Sequence, residues 1–410
     1  MSRRRSAAAV AFAAGLLALA APAWAATATD TQANSPQVAG DPTSDSTARF
    51  PTNKQNEPSI AVNPVDATHL VAGTNDEQRQ PPCGPGPVRG LAAAPSDCSF
   101  FPNVGTSGIY TSADGGVTWT NRGLLDDQPS WSSPPVGRRL VSDGDPWIVY
   151  GPKPVPGGGF SYGDGARVYY ATLASYYDNA GPYPPNKAPG LLAVSWSDDD
   201  GVTWSAPVIA TTKSNPNDFN DKETIWVDKV LTSPYFGRLY MSWTEFRAAG
   251  QSEPVMVTVS TDAGTSFSSP KQLSPAGNNG TGNGRQGSMV RSGPDGTVYV
   301  SWEQGFAQVI STSPDGGRSW TRPVTMGPVD DIPDPLPGSN FRTDSFPSIA
   351  ADPRPDSKTV YAAWATETSG GTRIVVATSI DRARTWLPPV PVSGPAEGDA
   401  FFQGLDVAPT

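Results

Sequence analysis

The sequence predicts an all-β protein built as an array of similar units. Three observations carry this. A turn of the form S-x-D-x-G-x-[ST]-[WF] recurs at 112–119, 197–204, 260–267 and 313–320, with a weaker copy at 379–386. Runs of β-rich sequence lie on both sides of the copies, as at 255–260 and 268–273. The 42 Gly and 44 Pro gather between such runs and leave few stretches at helical spacing.

Taken in order, residues 1–25 stand apart. Arg3, Arg4 and Arg5, the apolar stretch 7–20 and Ala23-Trp24-Ala25 have the layout of a signal peptide. The apolar stretch is short for a membrane span and no other segment is long enough, so a secreted protein is expected. Residues 26–55 are rich in Thr, Ser, Asn and Asp and read as a polar linker, disorder being the simplest expectation for that composition. The repeats fill 56–410. An inner-strand pattern recurs at 57–62, 145–150, 223–228, 286–290 and 346–350, and a second-strand pattern at 168–170, 239–243, 298–302 and 360–364. Five complete units are therefore expected at about 56–122, 143–210, 221–274, 285–326 and 344–393. Residues 400–407 look like the inner strand of a sixth whose remainder is missing from this chain, with 26–55 as an alternative closing segment.

Each residue of the repeated turn has a physical reason. Gly tolerates positive φ, the Asp carboxylate accepts N–H groups of its own turn, and the Trp or Phe anchors the turn on apolar neighbours. Asp114, Asp199, Asp262, Asp315 and Asp381 are thus structural. The run Asp198-Asp199-Asp200-Gly201 lacks the downstream Glu of a calcium loop. The pattern resembles the Asp box, or BNR repeat, of the sialidase superfamily of β-propellers; the fifth copy carries Ala383 where Gly is usual. The resemblance implies a β-propeller of four-stranded blades, here on a six-bladed plan with the last blade incomplete. It is specific for fold and says little about activity.

The net charge of −10 excludes nucleic acid and anionic membranes as favoured partners. Cys83 and Cys98 are the only cysteines and are expected to pair in an oxidising compartment, closing a Pro/Gly-rich loop. His69 is the single histidine and reads as a turn residue, and no nucleophile elbow is present.

In a four-stranded blade the repeated turns join the third and fourth strands, which puts them opposite the loops that enter inner strands and leave second strands. Those loops are where propeller sites form. The candidates there are Asp145, Glu223 and Asp344 as catalytic carboxyls and Tyr176 as a nucleophile. Glu57, Glu245, Glu303, Arg247, Arg285 and Arg342 are candidates for binding substrate. Paired carboxyls, one protonated and one ionised, are what glycoside hydrolysis requires. The resemblance implies a secreted sialidase-like glycosidase acting on glycans. Active sialidases carry Arg-Ile-Pro near the first inner strand, and this chain has Asn56-Glu57-Pro58 instead, so a sialic acid substrate is not expected. The alternative is a non-catalytic propeller that binds glycan or protein. No cofactor is expected, and Ca²⁺ held by the acidic ring is a lesser reading.

Overall fold

Each β-rich run forms a strand, and successive strands pair antiparallel into sheets of four. The computed structural model describes residues 31–34, 55–77, 104–132, 139–177, 190–211, 218–247, 252–275, 285–339, 341–394 and 398–408. The leader-like residues 1–25, most of 26–55, and the expected pairing of Cys83 with Cys98 lie outside them. By its contacts the chain divides into Met1–Thr31 and Gln32–Thr410, and every strand belongs to the second unit. Among the described residues there are five sheets, each a blade whose first strand is innermost. The inner strands are Gln55–Val62, Leu140–Pro154, Phe219–Val227, Arg285–Ser292 and Ser348–Ala351. The second strands are Leu70–Asp76, Phe160–Tyr176, Leu239–Phe246, Val298–Gln304 and Val360–Thr366. This is the all-β propeller architecture that the repeats predict.

The second strands Leu239–Phe246, Val298–Gln304 and Val360–Thr366 are buried almost end to end, with the preceding blade packed against each. Trp243, Trp302 and Trp364 occupy the same place in successive second strands, and all three are fully buried. Each fills the space toward the preceding blade: Trp243 with Val149 and Tyr169, Trp302 with Tyr240 and Val257, Trp364 with Tyr299 and Ile310. Truncating one such Trp costs about 3–5 kcal/mol. The short helical turns Leu125–Asp127 and Pro129–Ser132 are not foreshadowed by any pattern in the sequence. They carry Trp131 into the core between the first two blades, where its Nε1 donates to Ser195 Oγ at 3.0 Å.

The five Asp boxes share one hydrogen-bond pattern. In the third copy Ser260 Oγ donates to Asp262 Oδ1 (2.8 Å), Gly264 N to Ser260 Oγ (2.9 Å) and Ser266 N to Asp262 Oδ1 (2.9 Å). In each turn two consecutive residues have positive φ, here Ala263 at 60° and Gly264 at 83°. The fifth copy keeps this backbone with Ala383 at φ 60° and keeps the bond from its N to Ser379 Oγ. The Asp boxes also join blades. Asp200 of the second blade accepts from Asn63 Nδ2 (2.8 Å) and lies 3.0 Å from His69 Nδ1, both on the first blade. The only histidine thus serves an inter-blade contact.

Residues 398–408, expected to include a sixth inner strand, form no strand. They lie beside the fifth blade all the same. Leu405 N donates to Ser348 Oγ (3.1 Å), as Ile148 N of the second blade donates to Ser59 Oγ of the first (2.9 Å). Among the described residues no helix is long and apolar enough to cross a membrane.

A Cβ on Gly317, whose φ is 88°, would sit 2.6 Å from Val259 Cγ2 of the preceding blade, whereas one on Gly115, φ 74°, would meet nothing within 4 Å. Gly317→Ala is therefore expected to cost about 1–3 kcal/mol more than Gly115→Ala, read by urea unfolding. Equal effects would show that the turns do not dock on their neighbours.

Candidate functional site

At the end remote from the Asp boxes, the inner strands of the first four blades each slip register against the second strand. The slips fall between Asn56 and Ser59, Gly144 and Trp147, Asp221 and Thr224, and Gln286 and Met289. Each bulge holds a residue of positive φ: Glu57 (53°), Asp145 (51°), Lys222 (52°) and Gly287 (65°). Proline follows two of them, at Pro58 and Pro146, where a missing N–H is harmless. An L-residue held at positive φ is strained, by roughly 1–2 kcal/mol. In return a bulge turns a side chain out of the ladder. Here it turns three charged side chains, from three blades, toward one another.

Lys222 Nζ lies 2.7 Å from Glu57 Oε1 and 3.6 Å from Asp145 Oδ2. Asn75 fixes Asp145 by accepting its N–H at 2.6 Å. Burial, then the neighbouring Asp145 carboxylate, raise the Glu57 carboxyl above its usual range, against the pull of Lys222. The residue after Lys222 is Glu223, 2% exposed, with neither carboxyl oxygen hydrogen-bonded among the described residues. Burial and then Asp145 push its pKa well above the ordinary value, which favours the protonated form. These groups line a cavity of about 280 Å³, together with Trp147, Phe346 and Phe402. Phe402, 62% exposed, has φ 56°, the same backbone state as the bulge residues.

A second acidic group lies on the fourth and fifth blades. Carboxylate oxygens of Glu303, Asp331 and Asp344 come within 4.8 Å of one another. Burial first, then Asp331 and Asp344, raises Glu303 to about 8. Burial and the neighbouring Asp331 and Asp334 raise Asp344 to about 7, while the Ser345 N–H opposes the shift. Oxygen ligands at that separation suit a hard cation such as Ca²⁺.

The other candidates have separate surroundings. Arg247 pairs with Glu245 (3.0 Å), Arg285 is buried near Glu253, and Arg342 is 83% exposed and 3.8 Å from Glu57. The three arginines thus have different partners. Tyr176 is half-buried against the core between the first two blades. Loop position puts Lys222 at the mouth without giving it a role, and it does not point to Trp147, Asp331 or Phe402. The Glu-Pro and Asp-Pro dipeptides opening the first two inner strands are the signal for the bulges.

The family model of the BNR repeat-like domain matches residues 191–401, just over half of the chain. The chain belongs to that family. Its place is therefore among the sialidase-superfamily propellers that its turns resemble. The chain is similar in structure to an α-L-arabinofuranosidase from Fusarium graminearum in complex with an iminosugar inhibitor. That likeness has a TM-score of 0.51 at 13% identity over 86% of each chain. It also resembles a leech intramolecular trans-sialidase (TM-score 0.47, 14% identity, 90% of this chain). The chain spans 64% of that enzyme's length. A Penicillium chrysogenum α-L-arabinanase complexed with arabinobiose gives a TM-score of 0.48 at 14% identity, over 82% of this chain and 81% of the other. At these identities the likeness shows the fold, a glycoside hydrolase-like propeller. No curated protein matches the chain.

The raised carboxyls bear on stability. Glu303 and Asp344 bind protons more tightly in the folded chain than in the unfolded one. Their contribution is full below about pH 4 and is lost as pH rises through about 7 and about 8. The melting temperature is expected to fall as pH is raised across that range, and to fall less in Glu303→Gln, by differential scanning calorimetry. An unchanged slope in the variant would show that Glu303 is ordinary in the folded state.

Proposed function

We propose that the chain is an exported glycoside hydrolase acting on neutral sugars, with its site in the cavity at the mouth of the inner strands. The observation that carries this reading is Glu223, a buried carboxyl with no hydrogen-bond partner among the described residues, facing a cavity that also holds Asp145 and Glu57. A buried carboxyl whose pKa is raised is suited to act as a general acid. Glu223 gives its proton to the glycosidic oxygen as the C–O bond breaks and the anomeric carbon gains positive charge. Asp145, held by Lys222 and by Asn75, supplies the opposing carboxylate. It either takes the proton of an attacking water or attacks the anomeric carbon itself, and product stereochemistry read by NMR distinguishes the two. Trp147 and Phe402 offer apolar faces on which a sugar ring packs.

The charge around the cavity favours a neutral substrate. Glu57 stands where a sialidase has its Arg-Ile-Pro arginine, Asp145 and Glu223 line the same cavity, and Lys222 is already committed to Glu57 and Asp145. Export rests on the leader-like residues 1–25. The likeness to an arabinofuranosidase holding an iminosugar makes arabinosides the first substrates to try.

Aryl arabinosides, other neutral glycosides and sialosides are to be assayed side by side. Turnover is expected on a neutral glycoside, with kcat/KM reduced by about 10²–10⁴-fold in Glu223→Gln. The alkaline limb of the wild-type pH–rate profile is expected to disappear in that variant. Full turnover in Glu223→Gln would overturn the assignment, and binding without turnover in the wild type would make this a carbohydrate-binding propeller.

A further inference from the structure

The other ends of the same inner strands carry the opposite charge. The strand Phe219–Val227 has Lys222 and Glu223 near its start, and Lys229 follows its end. In Arg285–Ser292, Arg291 lies two residues beyond Met289, which lines the cavity. Trp226 connects the two cations. Its ring centroid is 4.4 Å from Lys229 Nζ and 4.4 Å from the Arg291 guanidinium carbon, and Trp147 lies 5.9 Å from Arg291 on another side. Trp226 Nε1 donates to Ser292 Oγ at 3.0 Å, which fixes the indole.

Arg291 is half-buried and Lys229 is exposed. Among the described residues neither forms an ion pair; Asp406 acts on both from beyond contact distance. Arg291 donates from Nη1 to the Val290 carbonyl at 2.8 Å, which uses one of its five N–H groups. Burial brings the Arg291 guanidinium down to about 10. Burial also lowers the Lys229 ammonium, and the nearby Arg291 charge lowers it further. Lys229 is still open to solvent, so the place has an entrance. Stacking on an indole orients a cation but does not replace the water removed from it. An anion does, and a guanidinium fork presents two parallel donors to an oxyanion.

We propose that Arg291 and Lys229, held on Trp226, form a binding site for a small oxyanion: sulfate, phosphate or the carboxylate of an acidic sugar. The site lies at the opposite end of the inner strands from Glu223 and does not depend on the hydrolase reading. A protein of net charge −10 attracts anions weakly overall, so saturable binding reports a local site.

The test uses the full chain, titrated with sodium sulfate, sodium phosphate and sodium glucuronate against sodium chloride at constant ionic strength. Tryptophan fluorescence and melting temperature are the readouts. A saturable fluorescence change and a rise in melting temperature are expected with at least one oxyanion and not with chloride. Lys229→Met and Arg291→Met are each expected to weaken it by about tenfold or more, while Glu223→Gln leaves it unchanged. Lys229 is at the surface, so its variant decides the matter if Arg291→Met fails to fold. Saturation by sulfate or phosphate alone assigns the site to inorganic oxyanions, and saturation by glucuronate extends it to anionic sugars. No saturation with any of the three, or binding unaffected by Lys229→Met, would overturn the proposal.

Discussion

The second, third and fourth blades of this protein have no free face. Neighbours cover both sides of each of these sheets, so side chains along their second strands must be apolar or hydrogen-bonded within the wall, as Trp243 and Trp302 illustrate. Polar chemistry is left only the ends of the strands. That constraint explains why the ionisable groups collect at two levels: carboxyls with Lys222 where the inner strands begin, Lys229, Arg291 and Asp406 where they finish. The bulges at Glu57, Asp145 and Lys222 exploit the one place where the backbone can leave its ladder without opening the core.

The two ends of the blade are specialised differently. At the Asp-box end, positive φ makes tight turns whose Asp carboxylates accept N–H and hydroxyl donors. Thr118, above all, holds Asp114 down to about 2. At the mouth, positive φ exposes carboxyls to each other and hides them from water, and Glu223 moves the opposite way. One backbone state serves stability at one end and chemistry at the other. The difference lies in whether donors surround the carboxyl.

Much of this was legible in the sequence, for identifiable reasons. The Asp boxes marked the third-to-fourth strand turns, and the register they set brought Asp145, Glu223 and Asp344 into view as residues entering inner strands. What no repeat records is which of them meet. Asp145 and Glu223 share a cavity because two adjacent bulges aim inward, while Asp344 joins Glu303 and Asp331 instead. The arginines were grouped on loop position alone; local acids, Glu245 for Arg247 and Glu253 for Arg285, take them first. Lys222 looked like one charge among several until the structure placed its ammonium between two carboxylates from other blades. The helical insert that buries Trp131 has too short a sequence to show any period.

His69 has a consequence of its own. Its imidazole reaches Asp200, which also accepts from Asn63 and from Tyr150, so a single carboxylate gathers three side chains, with His69 and Asn63 on the first blade and Tyr150 on the second. On its other side the ring's Nε2 lies 3.9 Å from Asp66, in the turn just before it. The seam between the first two blades is thus tied through one carboxylate of an Asp-box turn, and losing it would release three side chains at once.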